Sequence, residues 1–138
     1  MKRYLIRFGI VAVLFLALDS VWLSQTQEIL YRRHLAGILL DGFRVFPALL
    51  FYILYVAGIM VFAIEAADAS GRVSTAAARG AFFGLVAYGT YDLSNQATLA
   101  AWSSAVTAAD MAWGTVATAL AASVGFVLTR GLFSAKSS

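Results

Sequence analysis

The fold class predicted by this 138-residue sequence is an all-α membrane bundle of four transmembrane helices, with an interfacial amphipathic segment after the first. Two observations carry that reading. The chain is 62% apolar and only 12% charged, with a mean hydropathy of +0.83. A small water-soluble domain leaves too much of its chain at the surface to hide such a composition. The apolar residues also form long runs, whereas a closed β-barrel needs alternating segments of about 10 residues.

A span needs about 20 residues, because a rise of 1.5 Å per residue must cross roughly 30 Å of hydrocarbon. Residues 4–23 are apolar apart from Arg7 near the start and Asp19 near the end. Lys2 and Arg3 precede this run in the manner of a secretory signal, but no clean small-x-small cleavage pattern follows, so it is expected to be an uncleaved first span. Residues 25–44 then form the longest connection. In it Tyr31, Leu35, Ile38 and Leu39 fall at helical spacing opposite Arg32 and Arg33, the pattern of a helix lying in an interface over about 27–43. Residues 45–64 carry no charge. The polar loop 68–75 leads to a third run, 80–102, interrupted by Asp92 and its polar neighbours, and the uncharged run 111–129 is the fourth. The expected helices are about 4–24, 45–66, 77–101 and 106–130, forming a single membrane domain over 1–138.

The basic residues orient this bundle. With the N-terminus inside, Lys2, Arg3, Arg7, Arg72, Arg79, Arg130 and Lys136 are cytoplasmic, while Arg32, Arg33 and Arg44 are outside. Seven against three places both termini in the cytoplasm of an inner-membrane, multi-pass protein. The sequence pI near 9.5 then reflects topology and anionic lipid, since the basic residues are scattered over loops and form no nucleic-acid surface.

Composition also removes several chemistries. With no cysteine, disulfides, thiolate zinc sites, iron–sulfur clusters and covalent c-type haem are excluded. The one histidine, His34, rules out bis-histidine haem within one chain. Lys2 and Lys136, both near the ends, leave no lysine inside a span for a Schiff base. No phosphate loop, nucleophile elbow, zinc-peptidase motif or dinucleotide fingerprint occurs. No cofactor and no metal site are expected.

Attention therefore falls on Asp19, Asp92 and Asp110, three acids inside the expected spans. Each ionised Asp near a bilayer centre costs roughly 3 kcal/mol, which makes it a functional candidate by default. Adjacent spans alternate direction, so all three fall in the same half of the bilayer, the outer half in this orientation. Gly80, Gly84, Tyr88, Asp92, Asn95 and Leu99 share one helical face, and Asp110, Gly114, Ala117, Ala121 and Gly125 share another. Gly80-x-x-x-Gly84 marks close helix contact. A short echo accompanies the acids. Residues 17–22 and 108–113 both read A-x-D-x-x-W, with Trp22 and Trp113 one turn after their acids, where an indole N–H can cap a local carboxylate. The alternative role for these tryptophans is the interfacial aromatic belt.

Asp19, Asp92, Asn95 and Asp110, with Trp22, Trp113 and Tyr88, form the expected substrate- or proton-binding group, with Asp92 central. The alternative is a structural knot that sets helix register. Arg32, Arg33 and His34 are expected to contact headgroups or anions, or with Tyr31 to fold back over the acids. The function read first is binding or proton-linked transport of a small polar or ionic species, with membrane lipid and a homodimer or larger membrane complex as partners. The alternatives are an enzyme or accessory acting on lipid or apolar substrates, and a structural subunit.

Four stretches also carry a resemblance: FLALDSVWL (15–23), YRRHL (31–35), GLVAYGTYDLSNQATL (84–99) and DMAWGT (110–115). They resemble a family of small bacterial four-helix inner-membrane proteins known as a domain of unknown function. The resemblance implies a bacterial inner membrane and four helices. It also implies that Asp19, Trp22, Arg32, Arg33, Asp92, Asn95, Asp110 and Trp113 belong to the family pattern. It implies no activity.

Overall fold

A computed structural model describes residues 1–134 and contains helices and connections, with no strand among the described residues. Lys136, counted above among the inner basic residues, lies outside the described residues.

The first helix, α1 (Lys2–Leu35), is α-helical through Thr26, widens into a π-helical turn over Gln27–Arg32 and closes with Arg33–Leu35. The second, α2 (Val45–Ser70), contains a π-helical turn over Met60–Ile64 and ends at Gly71, whose φ of 66° is the left-handed stop that glycine adopts without strain. Pro47 sits in the first turn of α2, where its missing N–H has no intrahelical partner to lose. The third, α3 (Val73–Thr98), and fourth, α4 (Ser104–Ser134), form an antiparallel pair joined by a short connection.

Three of the four helices are long and apolar enough to cross a membrane: α1, α2 and residues Ser104–Leu132 of α4. The remaining expected span, α3, is not among them. It has 26 residues, but Arg79, Asp92, Asn95, Gln96 and its serines and threonines keep it below the apolarity of the others. The segment expected over 27–43 is helical only in part. Its first part continues α1 without a break, and after Leu35 the chain turns and leaves helical structure until Val45. Gly37 and Gly42 occupy this stretch, where glycine weakens a helix.

The dry core joins α1, α2 and α4 through Val11, Phe15, Ile59, Met60, Ile64 and Phe126. Outward, large apolar side chains such as Val13, Val21, Phe46, Leu54, Phe62, Val116 and Val127 are exposed, the reverse of a water-soluble surface.

Between α3 and α4 the backbones nearly touch. A Cβ added at Gly84 would lie 2.1 Å from the Gly114 carbonyl oxygen, and one at Gly114 would lie 2.2 Å from the Tyr88 ring. Small residues permit this approach, and in lipid such van der Waals contact is a main source of helix association. The register follows from paired neighbours: Gly84 with Gly114 and Thr118, Gly89 with Met111, and Gln96 with Ser104. Asp92 therefore stands opposite the turn 106–110 of α4.

Candidate functional site

Asp19 and Asp110 meet at the end of the bundle where α1 and α3 finish and α2 and α4 begin. A partly open cavity of about 560 Å³ lies there, within the range of small-molecule sites. From α1 come Asp19, Trp22, Leu23 and Tyr31; from α2, Phe51 and Tyr55; from α4, Asp110. The α3 wall includes Ala87, Tyr88, Tyr91 and Ser94. Leu23, Phe51, Thr90, Tyr91 and Ser94 are the exposed members of this lining, and Phe51 from α2 with Thr90, Tyr91 and Ser94 from α3 put most of the opening on the flank between those two helices. The bulky rings of Phe51, Tyr55 and Tyr88 keep these two helices apart at this level.

Asp19 and Asp110 are buried, at 7% and 5% exposure, and each accepts hydrogen bonds from another helix. The Tyr52 hydroxyl donates to Asp19 Oδ2, and the Trp113 indole N–H reaches Oδ1 at 3.5 Å. Tyr31 donates to Asp110 Oδ1 and itself accepts from Trp22 Nε1 at 2.9 Å. The two indoles stack in parallel, 4.7 Å between centroids and 5° between planes.

This pattern is crossed. The tryptophan of each A-x-D-x-x-W segment serves the acid of the other segment, Trp113 directly and Trp22 through Tyr31. The local capping expected from the spacing is thereby corrected. Asp and Trp three residues apart do share a face, but that face meets the other helix, so each indole finds the opposite carboxylate.

Tyr31 enters because the π-helical turn lies over Gln27–Arg32. A π turn shifts the helical face downstream, and such turns recur at functional sites. Its neighbours do not follow it inward. Arg32 pairs with Glu28 at 3.0 Å and donates to the Asp41 carbonyl at 3.4 Å. Arg33 and His34 are exposed, with His34 Nδ1 2.8 Å from the Leu30 carbonyl oxygen.

The acid expected to be central stands apart. Asp92 has 0% exposure, does not line the cavity, and neither carboxyl oxygen has a hydrogen-bond partner. It lies in the α3–α4 seam within electrostatic reach of Asp110. Asn95 is half-buried and outside the cavity wall; its peptide carbonyl accepts from the Leu99 N–H at 2.8 Å. Among the described residues no group of three or more metal-ligating side chains converges.

The sequence reading missed Tyr52, Tyr55 and Phe51, which sit in an uncharged run. The available signal was two tyrosines three residues apart in that run, since a buried hydroxyl seeks a partner. Tyr55 meets the Thr118 hydroxyl at 2.7 Å.

Fold and site together define a helical integral membrane protein with an acidic, aromatic-walled pocket near one end. Residues 4–127 match the family described as a predicted membrane protein (DUF2177), and the chain belongs to that family. No curated protein and no solved structure matches it.

Proposed function

We propose that this protein binds an organic cation with an apolar body, taken sideways from the bilayer into the pocket between α1, α2, α3 and α4. The observation that carries the reading is the lining. Two buried carboxylates, Asp19 and Asp110, face aromatic walls, and no basic side chain contributes. Their tyrosine and tryptophan donors leave acceptor capacity on each carboxylate. A cation gains from the carboxylates and from the ring faces of Trp22, Tyr55 and Tyr88, while an anion meets only repulsion. The flank opening suits a ligand that arrives through lipid.

In this reading α3 is a fourth crossing. Its 26 residues extend about 39 Å at 1.5 Å each, and it pairs with α4 along its length, turning Asp92 away from lipid. The basic-residue bias supports an inner membrane with both termini cytoplasmic. The lining comes from all four helices of one chain. Arg32, Arg33 and His34 do not line the cavity and are left to headgroups at the outer surface.

The test uses the full chain in lipid nanodiscs, titrated with hexyltrimethylammonium and with hexyl sulfate, and empty nanodiscs as the partition reference. Stacked Trp22 and Trp113 supply the fluorescence readout. The cation should bind saturably and the sulfate should not. Asp19→Asn and Asp110→Asn should each weaken cation binding at least about tenfold, the scale of one lost charged contact. Equal binding of both probes, or Asn variants that bind like the parent, would sink the proposal.

A further inference from the structure

Asp92 is a carboxylate with no partner, and the pocket chemistry makes no direct use of it. Its two oxygens are fully enclosed in the α3–α4 seam. A buried polar group is ordinarily satisfied, and each exception needs an explanation. The register places it opposite the 106–110 turn, so the charged group that faces it from α4 is Asp110. Tyr91 is the titratable neighbour on its own helix. Neither α1 nor α2 gives it a hydrogen-bond partner. What satisfies Asp92 must come from outside the chain's own side chains, and a proton is the smallest such partner.

Two carboxylates in mutual reach resist ionising together. Asp110 lines the pocket and Asp92 does not, so a positive charge in the pocket acts on the pair from one side only. We infer that Asp92 is a proton-exchange group linked to the pocket: a cation seated against Asp110 relieves the repulsion between the two acids and sends one proton from the pair to water. The inference rests on the cation-binding reading above. It adds that binding and proton release are one linked event, so cation affinity rises with pH. That is the elementary step a proton-for-cation exchange requires.

The experiment is calorimetric titration of the nanodisc-embedded full chain with hexyltrimethylammonium, at one pH, in phosphate and in Tris. This probe carries a permanent charge, so it contributes no proton of its own. The difference in heat between the buffers counts protons. We expect about one proton released per cation bound, by linkage. Asp92→Asn should bind the cation within a few-fold of the parent and release almost none. Binding with no proton release in the parent overturns the inference and leaves the cation site standing. Undiminished release in Asp92→Asn does the same. If the parent binds no cation, the binding reading fails and the inference fails with it. A second measurement guards against a variant that does not fold. Infrared spectroscopy of the unliganded parent should show a protonated carboxylic acid band that fades on adding the cation. A band that does not respond, or no band, overturns the inference without any substitution.

Discussion

The two ends of this bundle are built from the same four helices and behave as opposites. Around Val11, Ile59, Met60, Ile64 and Phe126 the side chains are almost wholly enclosed, and a Cβ at Gly125 would lie 2.7 Å from Val11 Cγ2. At the other end Asp19, Tyr31, Tyr52 and Asp110 bond across helices around a space of about 560 Å³. Where branched and small residues face one another the helices close until no room is left. Where rings face acids the contacts become directional, and directional contacts leave space between them. The difference teaches that a cavity can be kept by hydrogen bonds at one end only if dry packing secures the other.

The hardest blow to that arrangement should come from the seam that braces both ends. Gly84→Leu would drive a side chain into the Gly114 carbonyl, a backbone atom that cannot swing aside. We expect a loss of at least about 3 kcal/mol, the upper range for overpacking, read as unfolding in a graded detergent series. Gly9→Leu, at a position with nothing within 4 Å, is the control and should melt like the parent.

A direct comparison of the two ends is sharper. Ile64→Ala in the dry half should cost about 2–4 kcal/mol, because the enclosed site loses contacts it cannot replace. Phe51→Ala, on a ring 43% exposed at the cavity mouth, should cost well under half of that while changing cation affinity. Equal losses of stability would erase the distinction between the ends.

The smallest expected effect tests the cavity end alone. Tyr31→Phe removes the donor to Asp110 and leaves the Trp22 indole N–H without its acceptor. Cation affinity should move about fivefold, equivalent to about 1 kcal/mol for one hydrogen bond, with little change in melting. Unchanged affinity would mean that Tyr31 only fills space.

Much of this was open to reading along the chain. The runs around 4–23, 45–64 and 111–129 announce helices because a lipid-exposed helix must be apolar nearly all round. The Gly80–Gly84 spacing announces a close contact, and the rarity of acids in such runs singles out Asp19, Asp92 and Asp110. What misled was local periodicity. A 3.6-residue repeat carries no sign of a π-helical turn, so the spacing sets Tyr31 opposite Arg32 and Arg33 on an interfacial helix without showing that it turns inward to Asp110. Tyr52 looked like one more ring in an apolar span, since nothing in its neighbourhood names the acid on another helix that it serves.

The sequence by itself determined the class of molecule, three of the four expected spans, and the acids that demand an explanation, because hydropathy and burial cost are sums over near neighbours along the chain. Only the tertiary structure decided which acids share a space. Asp19 and Asp110 meet through crossed tryptophans and borrowed tyrosines, while Asp92, central by sequence, is left alone in the seam. That outcome depends on helix order, register and one widened turn, and each of these is fixed by contacts between residues far apart in the chain.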